Sequence, residues 1–253
     1  MKKLITTFAA GAAAIALMGQ ASAKIPAPEP EDDPGAVHSY ILLDRTGSMS
    51  SIWDEALTSV NAYAASVGEA DEGEIEGSDI ETDVTLAIFD FQDGMQFDVL
   101  REKVIAEDWT DVTNEEANPR GMTPLFDAIG RMVSLAEADD PEKAVIVIMT
   151  DGLENSSREL TRDGAKAALD RAEAKGWEVV FLGAEFARFD DAEAVGVSAS
   201  KTMAVGQGSM QDSMSALAKK SRAYGKGEEA EIIFNDEDRA IADEEGVKQR
   251  QGQ

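Results

Sequence analysis

Residues 38–50 read HSYILLDRTGSMS. The first half is a short apolar run bounded by turn formers, the pattern of a buried strand. The second half turns polar at once: Asp44, Thr46 and Ser48 carry oxygen at a spacing of two, with Gly47 between the hydroxyls. Two readings are open. The oxygens can hold a cation at the end of a buried strand, or they can form an ordinary turn and cap for the next helix.

Working outward from that stretch, strands and helices alternate. Residues 51–66 place Ile52, Ala56, Val60 and Tyr63 at helical spacing, which predicts a helix. Residues 69–83, EADEGEIEGSDIETD, form an acidic, glycine-containing loop without EF-hand spacing, and its charge is expected to be solvated. Residues 84–91 alternate into Gln92-Asp93-Gly94 and residues 95–100 alternate out again, predicting a hairpin and one antiparallel strand. A helix is expected through Phe126, Ile129 and Val133. Residues 143–150, KAVIVIMT, suit a central parallel strand covered on both faces. A helix over 158–175 ending at Gly176, a strand over 177–182 and a weaker strand over 197–205 follow. A closing helix over 209–224 carries Met210, Met214, Leu217 and Ala218 on one face, with the methionines as core filler. The alternation predicts an α/β fold: a doubly wound, mostly parallel central sheet with one antiparallel edge hairpin strand and helices on both faces.

The ends differ from this body. Lys2 and Lys3 precede an apolar run to Met18 and the small-residue stretch Ala21-Ser22-Ala23, as in a secretory signal peptide cut after Ala23. The run is short for a span of about 20 residues, so an exported chain, periplasmic or secreted, is expected, with no membrane insertion after cleavage. Residues 24–36, beginning KIPAPEPEDDPG, read as a proline-rich acidic linker. The expected α/β domain spans 37–226. Residues 227–253 form an acidic tail in which Asn235 caps a helix to about Glu245, the patch Ile232-Ile233-Phe234 either docks on the domain or offers a strand to a partner, and KQRQGQ is disordered.

Charge and cysteine content narrow the function. The formal charge of −27 becomes −29 once the two signal lysines are removed. Such a field repels nucleic acid and anionic membranes and favours cations and basic partners, although much of it can serve solubility alone. With no cysteine, disulfides, thiolate metal sites and cysteine nucleophiles are excluded.

In a doubly wound sheet the site lies at the carboxyl ends of the central strands. Three loops qualify: Asp44-Arg45-Thr46-Gly47-Ser48, Gly121-Met122-Thr123-Pro124-Leu125, and Thr150-Asp151-Gly152. Hydroxyls with a few carboxylates suit a hard divalent cation such as Mg²⁺ or Mn²⁺, with Ca²⁺ as a further candidate.

These residues resemble the metal-ion-dependent adhesion site of von Willebrand factor type A domains, written Asp-x-Ser-x-Ser, then a distant Thr, then a distant Asp. Asp44, Thr46 and Ser48 match the first group, Thr123 the second and Asp151 the third, in order, over roughly residues 37–225. Thr46 departs from the usual serine but keeps the hydroxyl. The resemblance implies direct ligation by Thr46 and Ser48, direct or water-mediated roles for Asp44 and Asp151, and a state-dependent role for Thr123. It also implies an open position, Mg²⁺ above all, for an Asp or Glu carboxylate of a protein partner. With the charge of this chain, that partner is expected to be basic overall. Arg45, Met49, Met122 and Leu153 would surround the ion, either as partner contacts or as loop packing.

Two other functions compete. The fold could scaffold an envelope assembly with no ligand at the ion. Asp44-x-Thr46 also superficially resembles the nucleophilic loop of haloacid dehalogenase phosphatases, but Thr46 stands where those enzymes need a second aspartate. No GxSxG, HExxH or GxxxxGK[ST] motif occurs, and His38, the single histidine, reads as a strand-start residue rather than a base. The chain is therefore expected to bind rather than to catalyse. Trp53, Trp109 and Trp177 read as packing residues.

Overall fold

The computed structural model describes residues 35–69, 80–184 and 190–251. The expected signal peptide, nearly all of the linker and most of the acidic loop lie outside the described residues.

Strand β1 (Ala36–Asp44) is followed by a 3₁₀ turn (Gly47–Ser51) and helix α1 (Trp53–Gly68). Strands β2 (Glu81–Phe91) and β3 (Met95–Ile105) form the expected hairpin, with 92–94 as its turn. Helix α2 (Leu125–Asp139), strand β4 (Ala144–Thr150), helix α3 (Arg162–Ala174) and strand β5 (Glu178–Ala184) continue the alternation. Then come α4 (Asp190–Ala194), β6 (Thr202–Val205), α5 (Met210–Lys226), α6 (Asp236–Ile241) and α7 (Glu244–Gln251). The sheet order is β3-β2-β1-β4-β5-β6, parallel except for the β2–β3 pair at one edge.

The central strands are buried on both faces because residues 40–43 of β1 and 144–149 of β4 are apolar throughout. In β1, Ile41 and Leu43 join the core beneath α1 and α5, while Tyr40 and Leu42 join the core beneath α2 and α3. In β4, Val145, Val147 and Met149 face the first core and Ile146 and Ile148 the second. This is the period of two of a strand with no solvent face. Truncating one such residue, Leu42→Ala for example, costs about 2–5 kcal/mol. The chain leaves β1 toward β2 and returns to β1's other side through β4, so the order in which strands are added reverses between the parallel neighbours β1 and β4. Crevices at the carboxyl ends of such a pair are where doubly wound sheets bind ligands.

Several boundaries differ from the sequence reading. Helix α3 begins at Arg162 rather than 158 because the amides of Arg158, Glu159 and Leu160 donate to the Asp127 carboxylate instead of entering a helix, and Thr161 then caps the helix by accepting from Gly164. The weak strand over 197–205 shrinks to β6, since Ala199–Lys201 is a 3₁₀ turn. The tail helix does start at Asn235, whose side chain forms a capping box with Asp238, but Asp243 at φ +52° splits it in two. Its second half, α7, carries helix through Gln251, so the described part of the stretch expected to be disordered is helical. Ile232 and Phe234 are buried in the core beneath α5, and Gly206 N–H donates to Ala242 O at 2.8 Å, which ties α6 to the turn before α5. Trp53 and Trp177 are buried and Trp109 is packed against the core, as expected.

Candidate metal centre

Asp44 closes β1 with its carboxylate buried. Its Oδ1 accepts the Thr46 N–H at 2.7 Å and its Oδ2 accepts the Thr150 hydroxyl at 2.5 Å. The first bond is an Asx turn, which bends the chain out of the strand and brings the Thr46 and Ser48 hydroxyls onto one side. Thr46 Oγ1 then lies 3.2 Å from Ser48 Oγ and 3.3 Å from Thr123 Oγ1, and Ser48 donates to Asp151 Oδ1 at 2.7 Å. All five sequence-selected oxygen carriers therefore meet at the β1–β4 crevice.

Two further ties hold the loops together. Gly47 N–H donates to Gly121 O at 3.2 Å, and residue 121 takes φ +73° with its Cα so close to β2 that a Cβ would stand 2.6 Å from Phe91 O. Only glycine fits there. Thr123 and Asn155 bond reciprocally, Thr123 N–H to Asn155 Oδ1 at 2.9 Å and Asn155 N–H to Thr123 O at 3.0 Å, which ties the second loop to the chain that follows the third.

Neighbouring oxygens 2.7–3.3 Å apart match the spacing in an octahedral Mg²⁺ shell, where metal–oxygen bonds of 2.0–2.1 Å put adjacent ligands about 3 Å apart. The space they border has no side chain in it from below: a Cβ built on Gly152 would lie 3.1 Å from Thr123 Oγ1, 3.5 Å from Ser48 Oγ and 3.8 Å from Asp44 Oδ2. Thr46, Thr123 and Asp151 are buried while Ser48 is exposed, so the cluster opens to solvent on the Ser48 side. Among the described residues no group of three or more His, Cys, Asp and Glu side chains is placed to hold a metal ion. A cation here would depend on hydroxyls as much as on carboxylates.

The electrostatics favour a cation. Burial pushes the Asp44 carboxyl up to about 7, against the hydrogen bonds from Thr150 and Thr46, and burial also raises Asp151. Two desolvated carboxylates with no basic partner are costly in their charged form. A divalent ion offsets that cost.

The four residues expected around the ion divide. Met122 and Leu153 are 47% and 44% exposed beside the cluster. Arg45 and Met49 are corrections. Met49 is buried in the core beneath α1. Arg45 is buried too, turned toward the hairpin, with Nε 2.5 Å from Asp90 Oδ2 and a terminal nitrogen 2.5 Å from Asp98 Oδ2. The charge of Asp90 outweighs solvent as a partner for this guanidinium, so neither residue can line a rim.

Sequence reasoning placed Thr150 in the third loop without a role and missed Asp90, Asp127 and Glu154. Thr150 positions Asp44, and Asp90 holds Arg45 and, at 3.1 Å, Arg120. Asp127 binds three amides of the loop after β4, and Glu154 accepts from Phe126, Ser156 and Ser157. A charged residue inside the apolar run IFDF was a legible signal for Asp90.

No protein-family model matches the sequence, and no curated protein does either. Solved structures match the fold. Manganese-loaded TRAP protein from Plasmodium vivax aligns with a TM-score of 0.52 at 14% identity, over 74% of this chain and 74% of that one. The von Willebrand factor domain of the type V pili tip protein Mfa5 from Porphyromonas gingivalis aligns at 0.51 and 10% identity, over 74% and 95%. Proximal thread matrix protein 1 from the mussel byssus aligns at 0.50 and 13%, over 76% of this chain. The chain spans 46% of the length of that mussel protein. The fold is thus of the von Willebrand factor type A kind, in agreement with the motif order.

Proposed function

We propose that this chain is an exported, metal-dependent protein-binding module in which Asp44, Thr46, Ser48, Thr123 and Asp151 hold a divalent cation, Mg²⁺ above others. The observation that carries the reading is the convergence of five oxygen-bearing side chains from three loops around the open space at Gly152. When bound, the ion supplies a Lewis-acidic position for an oxygen from outside the chain. Thr46 and Ser48 offer neutral hydroxyls. Both Asp44 oxygens already accept bonds from Thr46 and Thr150, which suits Asp44 to orienting the shell more than to neutralising it. Asp151 then supplies most of the nearby negative charge, and the remaining position on the exposed Ser48 side fits a partner's Asp or Glu carboxylate.

Exposed Met122 and Leu153 support this reading, since apolar side chains at the rim of a polar site are suited to partner contact. The neighbours of like fold include a pilus tip protein and a byssus thread protein, which favours adhesion or assembly over turnover. Among the described residues no helix is long and apolar enough to cross a membrane. The signal-like first residues carry the export part of the proposal, and the formal charge of −27 favours a partner that is basic overall.

A thermal melt of metal-stripped protein against added Mg²⁺, Mn²⁺ and Ca²⁺, with Asp151→Ala beside it, tests the site. Binding to the folded state alone adds about 2.7 kcal/mol at a hundredfold excess of ion over its dissociation constant. A rise in midpoint that Asp151→Ala loses is expected. Equal midpoints with and without every ion would overturn the proposal.

A further inference from the structure

The oxygen cluster has two unlike flanks. On the α2–α3 side stand the apolar Met122 and Leu153. On the α1 side lies a cleft of about 450 Å³ whose lining includes Ser50, Ser51, Asp54, Glu55, Asn118 and Gln207. Ser50 follows Ser48 by two residues, so their Cα atoms are at most about 7 Å apart. The cleft is continuous with the metal position along the chain that forms both.

Its walls are fixed by bonds that do not involve a ligand. Asp54 Oδ1 accepts from Asn114 Nδ2 at 2.6 Å, and Trp53 Nε1 donates to Ala117 O at 3.1 Å, which pins the 114–119 loop to α1. Asn61 bonds the backbone of Val112 through both ends of its amide, extending the same seam. Across the cleft, Glu55 Oε1 accepts from Gly208 and Met210 N–H at 2.7 and 3.1 Å, which ties α1 to the turn carrying Gln207. A groove held on both sides costs little ordering when filled, and its volume falls in the range of ligand sites, roughly 300–1,000 Å³.

The charge pattern selects the occupant. Asp54 and Glu55 are the ionisable residues of the lining, both carboxylates, and they stand beside a cluster built for a cation. A ligand crossing the two meets positive character and then negative character.

We propose that the occupant is an extended segment of a protein partner that carries an Asp or Glu for the metal position and a Lys or Arg about two to four residues away, at roughly 3.3 Å per residue, for the Asp54–Glu55 cleft. Backbone groups between the two charges meet the hydroxyls and amides of Ser50, Ser51 and Asn118. This inference rests on the metal-dependent reading above. It gives a basic partner a local reason: the chain selects a −/+ pair of side chains rather than bulk positive charge.

The test is a random peptide library displayed on phage, panned on the whole protein in Mg²⁺ and Mn²⁺ and eluted with EDTA. Eluted sequences are expected to pair an Asp or Glu with a Lys or Arg at a recurring spacing. Panning on Asp54→Asn, which keeps the acceptor for Asn114 and removes the charge, should lower enrichment of the basic residue at least about twofold, the scale of an exposed charge pair, without changing the acidic one. Asp54→Lys should exchange the basic preference for an acidic one. Both variants are at an exposed position, and unchanged melting curves verify that they fold. EDTA-eluted acidic sequences with no positioned basic residue would overturn this inference and leave the metal reading standing. No EDTA-eluted enrichment at all would refute the metal-dependent reading and this inference with it.

Discussion

Arg45 and Asp90 form an ion pair at 2.5 Å with 5% and 0% of their surfaces exposed. Arg45 sits between two proposed ligands, yet the alternation of side chains along the strand end sends Asp44 and Thr46 one way and the guanidinium the other. The pair thereby keeps a positive charge out of the cation position and fastens the first loop to β2, while Arg120, through its N–H to Arg45 O at 2.8 Å and its side chain to Asp90, fastens the second loop to the same point.

Asp90→Ala should therefore do more harm than its distance from the oxygen cluster suggests. It leaves a buried guanidinium short of its counter-charge, a change that costs on the order of 3–5 kcal/mol. The double variant Arg45→Met with Asp90→Leu should recover a large part of that loss. Urea unfolding midpoints of the three proteins decide the matter, and equal midpoints for the single variant and the parent would show that solvent or Asp98 compensates Arg45.

Gly152→Ala tests the space at the centre of the cluster. The added methyl would meet Thr123 Oγ1 at 3.1 Å and face Ser48 Oγ and Asp44 Oδ2. We expect the metal-free protein to melt close to the parent, with the stabilisation by Mg²⁺ or Mn²⁺ abolished. An undiminished ion-dependent rise would place the cation somewhere other than above Gly152.

Asp127→Ala addresses the loop that presents Asp151 and Leu153. The Asp127 carboxylate accepts from three consecutive amides at 2.7–2.9 Å, and hydrogen bonds to a charged group contribute about 1.5–3 kcal/mol each. Re-solvation of the freed amides returns part of this, so a net loss of about 2–4 kcal/mol is expected. Amide hydrogen exchange at 158–160 should accelerate more than exchange in β4. Uniform acceleration across both would mean that Asp127 supports the whole domain rather than this loop.

What the sequence made legible was local. The cores of β1 and β4, residues 40–43 and 144–149, are unbroken apolar runs, the hairpin carries its own turn, and the spacing of Asp44, Thr46 and Ser48 survives into the geometry because one Asx turn enforces it. What it hid was set by polar contacts between distant residues. The aim of Arg45 depends on Asp90, 45 positions away, and the start of α3 depends on Asp127, which withdraws amides 31–33 positions away from helix formation. No periodicity encodes such pairings. Arg45 and Met49 turned away from the rim for the same reason, since adjacency in sequence to a ligand does not determine which side of the chain a side chain takes.

His38 yields a pH dependence that can be read without interference from other histidines, because the chain has one. Its Nδ1 lies 2.6 Å from Asp83 Oδ2, with the two side chains 25% and 8% exposed. The contact with Asp83 holds the imidazole above its usual 6.5, burial opposes this, and Glu81 adds to the rise while Lys103 subtracts from it. A group with a raised folded pKa contributes stability that is fully present below its unfolded value and is lost as pH rises through the folded value. His38→Gln should thus destabilise the protein more near pH 5.5 than near pH 8.5, the difference closing through and just above the neutral range. Proton NMR of the single imidazole gives the site directly: its titration midpoint should lie above 6.5 and fall in Asp83→Asn. A midpoint at or below 6.5 in the parent would mean that burial outweighs Asp83, and the sign of the stability difference would then reverse.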